Sequence, residues 1–197
     1  MKDLMIDLET LGTRVNAPIV AVGACFFDIN TGKIGKTFEA VMDLSLVLRY
    51  GRMDGDTLKW WLGQSEDARQ KLVRGRSDPL KVYPAFVEFV AAGGDGVRPW
   101  GNGASFDISM LEYTLARVIE RRPPWDFWNI RDCRTIKHIA SDLKLKFDGE
   151  RKGTHHSALD DAVFQAEWVS AYWQQIMGKT PAIAPVQTDN DLTDLLA

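Results

Sequence analysis

The chain is 197 residues long, 45% hydrophobic and 26% charged, with a formal net charge of −3. That length and balance suit one domain with a sizeable core, and they exclude a protein that holds nucleic acid by overall positive charge. The longest apolar run, IVAVGACFF, is too short and glycine-broken to span a bilayer, and two cysteines without a C-x-x-C pair exclude a disulfide framework. The opening KDLMIDLE carries no secretory pattern, and Cys25 and Cys133 read as buried thiols of a reducing compartment, so the expected location is cytoplasmic.

In chain order, LMIDLETL reads as a strand, and APIVAVGACFFDI as a longer one with Pro18 tolerated at its start. NTG marks a turn into a third strand, KIGKTFEAVM. From LSLVLRYG onward the pattern is helical. DGDTLKWWLGQ reads as a short helix with Asp56 near its N-cap, SEDARQKLVRG as one capped by Ser65, and DPLKVYPAFVEFVAAGG as a longer one. GVRPWGNG is a short strand leading into the amphipathic helix ASFDISMLEYTLARVIERR. After the loop PPWDFWN, a helix is expected over RDCRTIKHIASDL with Asp132 as cap, then the polar loop KFDGERKGTHHS and the helix ALDDAVFQAEWVSAYWQQIM. Residues 1–177 form the expected domain, and 178–197, ending TDNDLTDLLA, an expected tail. Three early strands, a later strand between helices and a closing helix indicate an α/β fold with a mixed β-sheet flanked by α-helices.

Five residues carry the chemistry. Asp7 and Glu9 are two apart in a strand, so they share one face, with Met5 beside them and Ile6 and Leu8 behind. Taken alone, such a pair reads as an edge strand with its acids in water; buried, it needs a cation. Asp107 opens a middle helix, where an acid ordinarily complements the helix dipole. His156 stands just before the last helix and Asp161 about one turn inside it, so both side chains can reach one site.

In this order (D-x-E on the first strand, FD opening a middle helix, H-x-x-x-x-D opening a late one) the sequence resembles the DEDDh group of 3′–5′ exonucleases, which have a ribonuclease H-like fold. The likeness runs from Asp7 to about Trp173, and MIDLETLGTRVNAPIVAVGACFFD is most similar to small phage and bacterial exodeoxyribonuclease VIII-like and mycobacterial exoribonuclease-like members. The resemblance implies hydrolysis of 3′-terminal phosphodiester bonds with release of nucleoside monophosphates. It implies two Mg²⁺ ions, replaceable by Mn²⁺, on Asp7, Glu9, Asp107 and Asp161. It makes His156 the general base, because its spacing to Asp161 matches where that of His155 does not, and the same spacing selects Asp161 over Asp160. Thr10, Leu11 and Gly12 correspond to the segment that meets the terminal nucleotide, with Leu11 as a wedge between bases. Asn102 and Phe106 flank the second acid and are expected in the same cleft.

Of Trp60 and Trp61, which point about 100° apart on a helix, at most one is expected to face nucleic acid. Arg151 and Lys152 read either as phosphate contacts or as a solvated loop. The expected substrate is the 3′ end of single-stranded nucleic acid, tilted to DNA by the phage-like resemblance, with RNA 3′-end trimming as the alternative. The resemblance also implies a homodimer. Rival readings are a non-catalytic nucleic-acid binder, a hydrolase of small phosphoesters, and an adaptor acting through its tail; no membrane partner is expected.

Overall fold

Side chains of β1 (Asp3–Thr10) alternate between two cores. Leu4, Ile6 and Leu8 join one cluster with Phe86 and Leu111, whereas Met5 joins another with Cys25, Ile136 and Val169. Each fully buried Leu or Ile contributes about 1.5–3 kcal/mol. The strand is thus covered on both faces, and the acids of its second half lie inside the molecule rather than on an edge. The structure is a computed structural model and describes residues 1–153 and 156–179. The expected tail therefore lies outside the described residues from 180 onward, as does His155.

The sheet has the order β3-β2-β1-β4-β5. β1 pairs antiparallel with β2 (Ile19–Phe27), which pairs antiparallel with β3 (Ile34–Val41); on its other side β1 runs parallel to β4 (Arg98–Gly101). β4 is parallel to β5 (Arg131–Asp132). β2 is buried along its whole length, as a central strand covered on both sides must be.

The helices are α1 (Leu44–Val47), α2 (Gly55–Leu62), α3 (Glu66–Val73), α4 (Pro79–Ala91), α5 (Ala104–Ile119), α6 (Cys133–Asp142) and α7 (Ala158–Lys179). α4 and α5 supply one core, α6 and α7 the other. Among the described residues no helix is long and apolar enough to cross a membrane.

Two expectations need correction. Asp132 caps the helix as expected and the helix starts at Cys133, but Arg131 and Asp132 also form the short strand β5, which is missing from the expected elements. Asp132 is extended (φ −127°) because it is the N-cap, accepting from the Thr135 N–H. The cap of α2 is Asp54, whose carboxylate accepts from Asp56 N, while Asp56 lies within the first turn. Ser65 caps α3 as expected.

Candidate active site

The acids converge at the far end of β1 because two glycines permit close approaches. Asp7 pairs across the sheet with Gly23. A Cβ at Gly23 would fall 2.0 Å from Ala158 C and 2.2 Å from Leu159 N, so only glycine lets the first turn of α7 touch the sheet beside Asp7. Gly103, the N-cap of α5, has φ +96°, a left-handed conformation that turns β4 into α5. That turn sets Asp107 next to β1, where its Oδ1 accepts from the Leu8 N–H at 3.3 Å.

α7 delivers the remaining groups. His156 precedes it in a left-handed conformation (φ +59°), which histidine tolerates better than most residues. Asp161 N bonds to Ser157 O at 2.8 Å in the first turn. Ligand-type atoms of Glu9, His156 and Asp161 all lie within 4.8 Å of one another. Asp160 points elsewhere, 3.6 Å from Lys71 Nζ.

The electrostatics are those of an anionic cluster without enough counter-charge. Burial, then Asp107 and Glu9, raise the Asp7 carboxyl well above its usual range, against the opposing pull of Gln165 and Arg151. Glu9 is pushed up to about 7, by burial first and by Asp107 second, with Arg151 and Lys71 opposing. Asp107 is likewise raised to about 7 by burial, although the Leu8 and Asn102 N–H groups and Arg134 favour its charge. Carboxylates held so close and so dry resist ionisation unless a cation joins them.

Two features of the surroundings fit that need. The guanidinium of Arg151 enters the cluster and pairs with Asp161, standing where positive charge is required. Gln165 Oε1 is buried in the same place without a hydrogen-bond partner among the described residues. An oxygen-rich donor set with one imidazole suits hard ions such as Mg²⁺ and Mn²⁺.

Beside the carboxylates opens a cavity of about 440 Å³, lined by Glu9, Thr10, Gly12, Trp60, Trp61 and Phe106 among others. Trp61 is buried and its Nε1 donates to Thr10 O at 2.8 Å, tying α2 to the end of β1. Trp60 is 46% exposed and meets the His156 ring edge-on, with centroids 4.9 Å apart. Both indoles thus border the cavity, Trp60 from its half-exposed side and Trp61 from its buried one. Thr10 Oγ1 donates to Gly12 O at 2.7 Å.

Leu11 departs from expectation. It is buried in the core, its N–H bonds Pro18 O and its carbonyl accepts from Asp54 N, so little of it remains to wedge between bases. The Asn102 N–H bonds Asp107, and Arg151 is an ion-pair partner of Asp161 rather than part of a solvated loop. Sequence reasoning missed Gln165, whose Nε2 donates to Asp7 Oδ1 at 2.7 Å. A larger hollow of about 560 Å³, lined by Asp3, Arg98, Trp100 and Trp173 among others, opens at the starts of β1 and β4, away from the acids.

Residues 2–173 match the 3′–5′ exoribonuclease Rv2179c-like domain family. An exodeoxyribonuclease of Enterobacteria phage T4 is 26% identical over 163 residues, covering 68% of this chain and 70% of that protein. Among solved structures, the chain is similar to S. pombe Pop2p in its Mg²⁺- and Mn²⁺-bound form (TM-score 0.55, 15% identity, 90% of this chain and 83% of that one). It is also similar to the nuclease domain of 3′hExo, a DEDDh family member bound to rAMP (0.53, 12%, 89% and 91%). A third likeness is to exonuclease I from Methylocaldum szegediense (0.58, 14%, 91% and 41%). At these identities the structures establish the shared ribonuclease H-like fold, and neither they nor the family match bears on the expected pairing of two chains. The match over residues 2–173 settles membership: the chain belongs to the Rv2179c-like family and is a 3′–5′ exonuclease.

Proposed function

We propose that the protein releases nucleoside monophosphates from the 3′ end of single-stranded nucleic acid, using two divalent ions held by Asp7, Glu9, Asp107 and Asp161. The observation that carries this reading is the crowding of buried, charge-resisting carboxylates around Glu9, His156 and Asp161, next to an open cavity. Mg²⁺ is the resident ion and Mn²⁺ a working substitute. When bound, the ions supply charge neutralisation at the phosphate and favour ionised water.

The chain's own residues do the rest. His156 accepts the proton of the attacking water, a task for a group that titrates near neutrality. Its contact with Trp60 fixes the ring and limits its rotation. The terminal nucleoside occupies the 440 Å³ cavity, a size usual for small-ligand clefts. There Trp60 and Phe106 offer apolar faces to the base, while Thr10, Gly12 and Asn102 border the sugar and phosphate. Both cysteines are buried and unpaired, which supports a reducing compartment such as the cytoplasm.

DNA is the first reading for the sugar, supported by the name of the phage relative; RNA is the second, supported by the description of the family. Matched DNA and RNA oligonucleotides labelled at the 5′ end, incubated with Mg²⁺, test both. The expected result is a ladder of shortened products that EDTA abolishes and Mg²⁺ or Mn²⁺ restores, stronger on DNA. Asp7→Ala should remove it. Undiminished cleavage by that variant, or by protein in EDTA, would overturn the two-metal reading.

A further inference from the structure

We propose that Gln165 is a positioning residue: its amide holds the carboxylate of Asp7 in the orientation that binds metal. The inference rests on the metal-site reading above. Gln165 is 7% exposed, lies on α7, and reaches Asp7 Oδ1 with Nε2 at 2.7 Å. It stands four residues after Asp161, so one face of α7 carries both a proposed ligand and the group that orients another.

The orphaned oxygen is the second observation. Gln165 Oε1 is buried and has no hydrogen-bond partner among the described residues. A buried amide that satisfied its own needs would not leave this acceptor bare, since an unpaired buried polar atom is costly. With Asp7 ionised, as metal binding requires, the amide's orientation is dictated by it: the flipped amide would set oxygen against carboxylate oxygen. Asp7 needs such a partner because Glu9 and Asp107 both repel it. Without a fixed donor, its carboxylate would rotate away from the other two.

A neutral donor suits the task where a charged one would not. Lysine in this place would bind Asp7 more strongly but would compete with the ions for the same charge. Glutamine fixes one oxygen of Asp7 and leaves the site's net charge for the metal, as hydrogen-bonded partners of metal ligands do generally.

The test is calorimetric titration of Mn²⁺ into metal-stripped protein without nucleic acid, for the wild type, Gln165→Met (equal length, no donor) and Gln165→Asn (an amide one carbon short). Both variants should bind Mn²⁺ roughly 10–100-fold more weakly. In the nuclease assay the Mg²⁺ needed for half-maximal rate should rise by a similar factor, while KM for the oligonucleotide stays near the wild-type value. Melting curves in EDTA report folding, and if Gln165→Met fails to fold, Gln165→Asn decides. A residue that only fills space would alter melting and leave Mn²⁺ affinity unchanged, which overturns the proposal. No Mn²⁺ binding by the wild type would instead overturn the metal reading itself.

Discussion

The guanidinium of Arg151 pairs with the carboxylate of Asp161 and lies 5.2 Å from the centre of the Phe164 ring. The same cation favours the charged forms of Asp7 and Glu9, so it supplies counter-charge to three of the four proposed metal ligands. Its fit is imperfect, because Arg151 Nε is buried without an acceptor among the described residues. A divalent ion in the cluster would take over its role and set it free.

The consequence is a competition that can be measured. We predict that Arg151→Met binds Mn²⁺ more tightly than the wild type, by up to about tenfold, the scale of one partly buried ion pair. In EDTA the same variant should melt at lower temperature, because the acids lose their substitute cation. Titration calorimetry and melting curves read both effects; equal Mn²⁺ affinity would show that the guanidinium does not compete.

The raised carboxyls fix the sign of a pH effect. Glu9 moves from its usual 4.5 to about 7 and Asp107 from 3.8 to about 7. The folded protein therefore holds these protons more tightly than the unfolded chain. Their contribution to stability is complete below about 4 and is lost as pH rises through 7. In EDTA, lowering the pH from 8 towards 5 should stabilise the protein, on the order of 2–3 kcal/mol for each of the two groups. Glu9→Gln should flatten that slope, and saturating Mg²⁺ should remove it. A melting temperature in EDTA that rises with pH over this window would contradict the assignment.

Much of this site is legible in the sequence because it rests on short-range periodicity. Asp7 and Glu9 share a face by the two-residue period of a strand, and His156 and Asp161 come together by one helical turn. What stays hidden depends on long-range registry. Gly23 in IVAVGACFF reads only as a break in an apolar run, and its purpose emerges when β2 pairs it with Asp7 and α7 packs against it. Gln165 looks like any polar residue of an amphipathic helix until the direction of α7 is known. β5 is two residues long, too short for a periodic signal, and forms because β4 offers it a parallel partner.

Gly23 gives a prediction that isolates this packing. A methyl group at Gly23 must displace the backbone of Ala158 and Leu159. Gly23→Ala should shift the start of α7 and separate Asp161 from Asp7, costing at least about 10²-fold in rate, as small misplacements of reacting groups do. Gly35→Ala serves as control: it lies in the adjacent strand, where a methyl group meets the flexible end of Met1 and stands 3.3 Å from Phe26 O, away from the acids, so the rate should change far less. Full activity in Gly23→Ala would show that α7 can approach the sheet without this glycine.

The adjacent tryptophans should separate binding from stability. Trp60 is half-exposed beside the cleft, so Trp60→Ala should raise KM for a single strand by about 5–100-fold, the worth of one stacked base. Trp61 is buried and bonded to Thr10 O, so Trp61→Ala should lower stability by about 3–5 kcal/mol. Denaturant melts and steady-state kinetics on both variants suffice. A reversed pattern would move the stacking face to Trp61.

The two histidines give the sharpest separation. His156 has its ring against Trp60 and Trp61 and one ring nitrogen within 4.8 Å of Glu9 and Asp161 carboxylate oxygens, so it is placed to accept the water's proton. His156→Ala should lower the turnover rate by about 10²–10⁴-fold with little change in substrate binding, because the groups that hold the phosphate remain. His155 lies outside the described residues, and its six-residue spacing to Asp161 predicts a much milder effect for His155→Ala. The rate–pH profile adds an independent reading. In the wild type the acidic limb should follow protonation of His156, since saturating ions keep Glu9 and Asp107 ionised to lower pH. His156→Ala should lose that limb and retain only a fall at lower pH that shifts with Mg²⁺ concentration, whereas His155→Ala should keep the wild-type profile. Equal losses in both variants would assign the effect to the loop, and a large loss at His155 alone would transfer the base to that residue.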